Sequence, residues 1–392
     1  MIPRNRILPV ALLAAGALAP VAARAVDLNF AGTLQLDYLF TPFRGSDPRP
    51  SSFALDGFTT EFSLKLAVDL SDHVAGAAKA CFGCHGFELG MAYVDLRAHD
   101  ALNLRVGRFT PNFGEFGLRH DPGNHRLSDK PLPYDMGRML RFFDFGRSVL
   151  PAPYVDNGVE LFGRAELGPR LQIDYAAHVV AGLRALDANP ADVDFAASRS
   201  TTGFVVDNNS QPSVGGRVGA TVRLADRVDL TLGASALWGA YDRDARLEYL
   251  VLGGDLYLRL NRTNIRAEYL IRRTEMDARR PELFRDELAP PGVTAGDRIF
   301  HVRDGWYVEV EHPVLRNLDV MLRWDGMRRI GNVPTSLPLE PAAAVSRWTL
   351  GTQVTVFRGW RVKSSLQHYT WSGLRNGVDQ EFAAHLGVVA TF

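Results

Sequence analysis

Phe62-Ser63-Leu64-Lys65-Leu66-Ala67-Val68-Asp69-Leu70 alternates: every even position is apolar, and the odd positions are mostly polar or small. A period of two describes a strand whose two faces meet different surroundings. Leu318-Asp319-Val320-Met321-Leu322-Arg323-Trp324-Asp325 repeats the pattern, as do Leu171-Gln172-Ile173-Asp174-Tyr175 and Trp360-Arg361-Val362-Lys363-Ser364-Ser365-Leu366-Gln367. A soluble β-sandwich or β-helix alternates too. Charges at strand centres (Lys65, Asp174, Arg266, Glu268, Arg323, Lys363) fit a wet interior better than a packed sandwich core. Segments of about ten residues with turn residues between them are the signature of an all-β, closed antiparallel transmembrane β-barrel, with one face in outer-membrane lipid and the other in an aqueous lumen.

Short turns at Ser71-Asp72-His73, His99-Asp100-Ala101, Pro169-Arg170, Asp226-Arg227, Arg262-Thr263-Asn264, Leu315-Arg316-Asn317 and Arg358-Gly359 interleave with connections that are mostly longer and richer in Pro, Gly and Asp. Two rims of unequal loop length suit such a barrel, short on the periplasmic side and long outside. The segments between turns predict about sixteen strands. Their limits are 28–40, 58–70, 74–82, 87–98, 102–110, 159–167, 171–182, 214–224, 228–241, 248–260, 265–276, 302–312, 318–329, 346–357, 360–371 and 381–392. An even number closes the sheet with both termini on one side, and closure matters because an open edge in lipid leaves backbone groups unpaired.

Residues 1–25 read as a secretory signal peptide: Arg4 and Arg6, an apolar run from Ile7 to Ala22, then Ala23-Arg24-Ala25. The barrel then occupies 26–392, a single architecture without a linker. Lys plus Arg and Asp plus Glu both number 44, which gives no reason to propose nucleic acid as a partner. No G-x-S-x-G, H-E-x-x-H or comparable spacing points to an enzyme. The last segment places Phe382, Ala384, Leu386, Val388, Ala390 and Phe392 on one face and stops at the aromatic. It resembles the C-terminal strand of bacterial outer-membrane proteins, which implies the outer membrane as location and the barrel-assembly machinery as a partner. Aromatics near strand ends (Phe40, Trp238, Tyr241, Trp306, Trp348, Trp360) fit interfacial girdles.

The longest connection, Pro111 to Asn157, follows the fifth strand, and a loop of that length is expected to be functional. It carries Arg119, His120, His125, Arg126, Lys130, Arg138, Arg141 and Arg147 against Glu115, Asp121, Asp129, Asp135, Asp144 and Asp156. With Arg105 on the strand before it, Arg119, Arg126, Lys130, Arg138 and Arg141 are the candidate pore-lining residues, either as a basic ladder or paired with the loop's own aspartates. By strand parity Arg105, Arg217, Arg223, Arg266, Glu268, Arg272, Glu309, Arg323 and Arg361 face the lumen, a mixture that predicts a hydrated wall. Gly107-Arg108-Phe109-Thr110-Pro111 followed by Phe113-Gly114 is similar to the strand exit of general and phosphate-type porins. That resemblance implies a loop folded inward to set a constriction, passage of small hydrophilic solutes and assembly as a homotrimer.

Cys81-Phe82-Gly83-Cys84-His85 holds both cysteines of the chain and spells C-x-x-C-H, the spacing of c-type haem attachment. Cys81 and Cys84 would bond the porphyrin and His85 would ligate its iron, with Met91 on the next strand, or His120, His125, Met136 or Met139 on the long loop, as candidates for the second ligand. The other reading is a Cys81–Cys84 disulfide in a haem-free passive porin. The motif resembles that of fused cytochrome–porins, in which a single-haem segment plugs a sixteen-strand barrel and carries electrons across the outer membrane. In that family the motif precedes the barrel, whereas here residues 26–80 come first. One haem at one rim cannot bridge an apolar band about 25 Å tall, so electron transfer would require a partner periplasmic cytochrome.

Overall fold

The computed structural model describes residues 26–40, 57–83, 86–135, 148–185, 206–277, 279–280, 299–331, 339–374 and 379–392. Among them are sixteen strands: β1 (Asp27–Phe40), β2 (Gly57–Asp69), β3 (Val74–Gly83), β4 (Gly86–His99), β5 (Leu102–Phe109), β6 (Asp156–Glu166), β7 (Leu171–Val180) and β8 (Ser213–Ala225), then β9 (Val228–Ala240), β10 (Glu248–Leu260), β11 (Thr263–Met276), β12 (Ile299–Pro313), β13 (Leu318–Gly331), β14 (Leu339–Phe357), β15 (Trp360–Leu374) and β16 (Gln380–Thr391). Each pairs antiparallel with its sequence neighbours, and β1 pairs with β16, closing the barrel. Among the described residues no helix is long and apolar enough to cross a membrane. The predicted signal segment 1–25 lies outside the described residues.

The two faces are sorted in the reverse of a soluble protein. On β1, Leu34, Leu36, Tyr38 and Phe40 are exposed while Gln35, Asp37 and Leu39 between them are buried. On β15, Leu366 is 63% exposed and its neighbours Ser365 and Gln367 are buried. Apolar side chains that remain uncovered along every strand are stable only against lipid, and the polar parity then faces inward. Closure is sealed at the chain end, where the Gly32 and Phe392 backbones exchange hydrogen bonds of 2.8 and 3.1 Å.

One strand departs from expectation. The sequence predicts a start at 346, yet β14 begins at Leu339, with a register shift between Leu339 and Ala344. Pro341 cannot donate to a ladder, and such a residue is tolerated at an irregularity near a strand end, where alternation is no guide. The short turns lie on the rim that carries both termini. In the β14–β15 turn, Gly359 adopts φ 82°, and a side chain there would run into the Thr391 backbone.

Candidate functional site

The connection between β5 and β6 turns into the barrel. Asn112 anchors its start, donating from its backbone nitrogen and Nδ2 to the Glu160 carboxylate on β6 at 2.7 and 2.8 Å. The next turn is organised by Glu268 on β11. That carboxylate accepts from the backbone nitrogens of Glu115 and Phe116 at 3.2 and 3.3 Å, and from the Tyr134 hydroxyl. Gly114 makes the approach feasible: its φ is 63°, and a Cβ there would fall on the Glu268 carboxylate. Gly114→Ala is therefore expected to destabilise the protein by about 1–2 kcal/mol through its left-handed backbone alone, with a further loss from the displaced carboxylate. Thermal melting of the purified barrel checks this, and an unchanged transition would count against the tight approach.

Beyond this turn two short 3-10 turns, Phe116–Arg119 and Leu132–Tyr134, bracket a segment that dips toward the rim of the termini. At its foot Gly123 packs on Thr391 and Thr33, near the rim of the termini. Lys363 Nζ, fully buried on β15, donates to the carbonyls of Pro122 (2.7 Å), His125 (2.6 Å) and Leu127 (3.2 Å). Higher up, Asp129 inserts between Arg323 of β13, at 2.8 Å, and Arg347 of β14. Asp325 completes this cluster. It takes Arg347 Nε at 3.0 Å and Arg323 Nε at 3.3 Å, and accepts from the Leu132 backbone nitrogen at 2.9 Å. The side chains of Asp129, Arg323, Asp325 and Arg347 are all inaccessible to solvent. Glu309 also lies 3.4 Å from Arg323 and is shared with Arg119, so every buried charge of the cluster has an opposite partner, the condition under which buried ions are tolerated. Apolar contacts reinforce the seam, for Phe116, Leu132, Tyr134, Val149 and Leu150 pack with Tyr307, Met327 and Val345 of the wall.

This geometry corrects two expectations. The loop's bases do not chiefly pair with its own aspartates. Arg119 bonds Glu115 within the loop at 2.8 Å but also reaches Glu309 on β12 at 3.3 Å, and Arg126 pairs with the wall carboxylates Asp319 and Glu311. Lys130 Nζ donates to the Ala152 carbonyl at 2.7 Å, so these three form no basic ladder. Arg138 and Arg141 lie outside the described residues, as do Met136 and Met139. Nor is the wall hydrated throughout. Arg272, Arg323, Glu268 and Glu309 are buried beneath the loop, because the inserted segment excludes water from their half of the lumen.

The other half differs. Arg105 binds Asp95 through Nε and Nη2 at 2.8 and 3.0 Å, with its guanidinium 4.3 Å from the Tyr93 ring centroid, and keeps partial exposure. Lys65, Arg223 and the Arg164–Asp174 pair are solvent-accessible, and Leu118 on the free side of the loop is 52% exposed. Where the loop touches this half, Asp121 meets Lys79 and His120, the latter at 3.2 Å. Burial alone would raise the Asp121 carboxyl, but those two neighbours hold it well below the usual carboxylate range.

The C-x-x-C-H motif falls on the β3–β4 hairpin, at the end away from the termini. Cys81 pairs with Ser63 and Glu88 in neighbouring strands and is a free cysteine among the described residues. It shares the inward parity of Lys79. Its Sγ lies over Gly90, where an added Cβ would be 3.1 Å away. Gly83 pairs with Gly86, while Cys84 and His85 lie outside the described residues. Met91 stands opposite Lys79, on the lumen parity expected for it. His120 and His125 are committed to the loop, His120 Nδ1 lying 2.7 Å from the Gly117 carbonyl and the His125 ring packing at a tilt beside Phe116.

No protein-family profile matches the sequence, and no curated protein does either. Solved structures do match. The outer-membrane channel DcaP of Acinetobacter baumannii is 13% identical, with 96% of this chain and 100% of that one covered at a TM-score of 0.55. Salmonella typhi OmpF, solved in complex with daunomycin, is 11% identical over 93% of this chain and 97% of its own, at a TM-score of 0.56. The anion-selective porin of Comamonas acidovorans is 12% identical over 94% of this chain and 100% of its own, at 0.53. A closed sixteen-stranded barrel with a loop folded into its lumen gives this chain the fold of the bacterial outer-membrane porins.

Proposed function

We propose that the chain is a diffusion channel of the bacterial outer membrane, passing small hydrophilic solutes along the half of the lumen bounded by β2 to β8. The observation that carries this reading is the asymmetry of the wall. Glu268, Arg272, Glu309, Arg323, Arg347 and Lys363 on β11 to β15 are sealed beneath the loop, whereas Lys65, Arg164, Asp174 and Arg223 on the opposite wall stay open to water. Hydrated charge on the wall is what lets a dissolved solute pass without losing its own hydration. Stepwise conductance of the purified barrel in planar bilayers is the expected result, and a folded barrel that never conducts would overturn the proposal. Assembly as a homotrimer belongs to the same reading and is checked by native mass in detergent.

A second reading attaches to residues 81–85: a haem c held by Cys81 and Cys84 with His85 on its iron, exchanging electrons with a periplasmic cytochrome. Its support is the motif itself together with the lumen-side free thiol of Cys81. The haem would supply one-electron chemistry, and the hairpin would hold it at the barrel's mouth. Protein made in cells competent for cytochrome maturation is expected to carry the added mass and absorption of a covalent haem. An unmodified mass in those cells would remove this reading and leave the channel untouched.

A further inference from the structure

A polar cavity of about 500 Å³ opens at the rim that carries the termini, lined among others by Arg126, Arg266, Glu311, Thr355 and Arg361. Its charges do not balance. Arg266 is taken up by Glu311 at 2.6 Å and Glu115 at 3.1 Å, while Arg126 is taken up by Asp319, with Glu311 at 3.6 Å. Arg361 has no such partner. Its guanidinium donates to the Gly123 carbonyl of the loop foot, and no carboxylate lies within ion-pair distance of it among the described residues. Three guanidiniums therefore face one cavity whose neighbouring carboxylates are already engaged by two of them. Asn124 and Asn264 line the same space and add amide groups.

We infer that this cavity is a subsite for a small oxyanion, a carboxylate or phosphate group, with Arg361 as its principal ligand and Arg126 beside it. A guanidinium presents a planar fork of donors that matches both anions bidentately. One N–H of Arg361 is spent on Gly123, and the remaining donors face a hydrated recess deep enough for a solute. A bound anion would also relieve the repulsion between Arg126 and Arg361, which Asp319, paired directly with Arg126 alone, offsets only in part. The inference deepens the channel reading by naming the class of solute that pauses at the termini-side opening, and so rests on it for its physiological meaning, although binding itself does not require conduction.

Calorimetric titration of the detergent-folded barrel with inorganic phosphate, and separately with succinate, tests it. Saturable binding of at least one anion is expected, weakened tenfold or more by Arg361→Gln. Thr355→Asp gives an independent check, because Thr355 pairs directly with Arg361 across the β14–β15 ladder and an aspartate there would supply the missing carboxylate. It too is expected to weaken binding tenfold or more, and heat-modifiable electrophoretic mobility verifies that each variant is folded. Phosphate alone or succinate alone binding would identify the favoured geometry and still support the subsite. No binding in the natural chain, or binding unchanged in both variants, would overturn it. Binding without any conductance would leave the subsite standing and remove the channel reading instead.

Discussion

Asp129→Ala is expected to lower stability by about 3–5 kcal/mol, the usual result of deleting one partner of a buried ion pair. The reason lies in what stays behind. Arg323 and Arg347 are fully buried, and both reach Asp129. Asp325, helped only by Glu309, which lies 3.4 Å from Arg323 and is shared with Arg119, would then face two guanidiniums closed off from solvent, a poorer match of charge than in the intact cluster. The cheapest relief is for the segment from Leu127 to Tyr134 to lift and admit water, since Arg323 and Arg347 also hold it through the Asp129 and Lys130 carbonyls at 3.2, 3.3 and 2.8 Å. Melting at lower temperature should therefore accompany a larger and noisier single-channel conductance. Removing Arg347 together with Asp129 restores charge balance, so the double variant Asp129→Ala, Arg347→Met should lose less than the sum of the single losses. Additive losses with conductance unchanged would show that the cluster does not fasten the loop.

How much of this could be read beforehand follows from the range of the forces involved. Lipid outside the barrel imposes apolar character on every second residue, so Leu34, Leu36, Tyr38 and Phe40 announce β1 locally, and the same rule recovers the other strands. Where the ladder is irregular the rule fails, as at Pro341, and the start of β14 was hidden. Parity also marks Arg323 and Arg361 as inward residues, each in a stretch of similar pattern. It cannot separate them, although one is buried in an ion cluster and the other borders an open cavity. The difference is the path of a loop more than 190 positions away in sequence, as with the bond from Arg323 to the Asp129 carbonyl. A partial signal existed: Glu309, Arg323, Asp325, Arg347 and Lys363 put inward charge on four successive strands, more than a simple wetted wall requires. The loop adds Pro131 and Pro133 around Leu132, a stiff stretch suited to lying against a fixed surface. Which acid meets which base still depends on the fold. The C-x-x-C-H motif shows the converse, being fully legible as a pattern, while the strand that carries Cys81 gives no local sign of whether a haem is attached.

Lys363→Met should detach the foot of the same loop by a different route. Its ammonium lies in the wall of β15 and serves three carbonyls, those of Pro122, His125 and Leu127, which the chain's tight descent turns toward one point. A methionine fills a similar volume but donates nothing, so three buried acceptors lose a donor together. Each orphaned carbonyl costs about 1–3 kcal/mol, partly offset because a buried cation is also removed, and a net loss of about 3 kcal/mol is expected. The loss is local, for the strand ladders on both sides of Lys363 are backbone bonds that the substitution leaves intact. Barrel formation should therefore survive, as judged by heat-modifiable mobility, while backbone amides from 121 to 128 exchange faster with deuterium than in the natural chain. Lys363→Arg separates charge from shape: it keeps the cation, but a planar fork cannot aim at three convergent carbonyls as a tetrahedral ammonium does, so partial protection is expected. Loss of protection across β14 and β15 as well would mean that Lys363 supports the wall. Full protection of 121–128 in the methionine variant would mean that Asp129 and its arginines hold the loop alone.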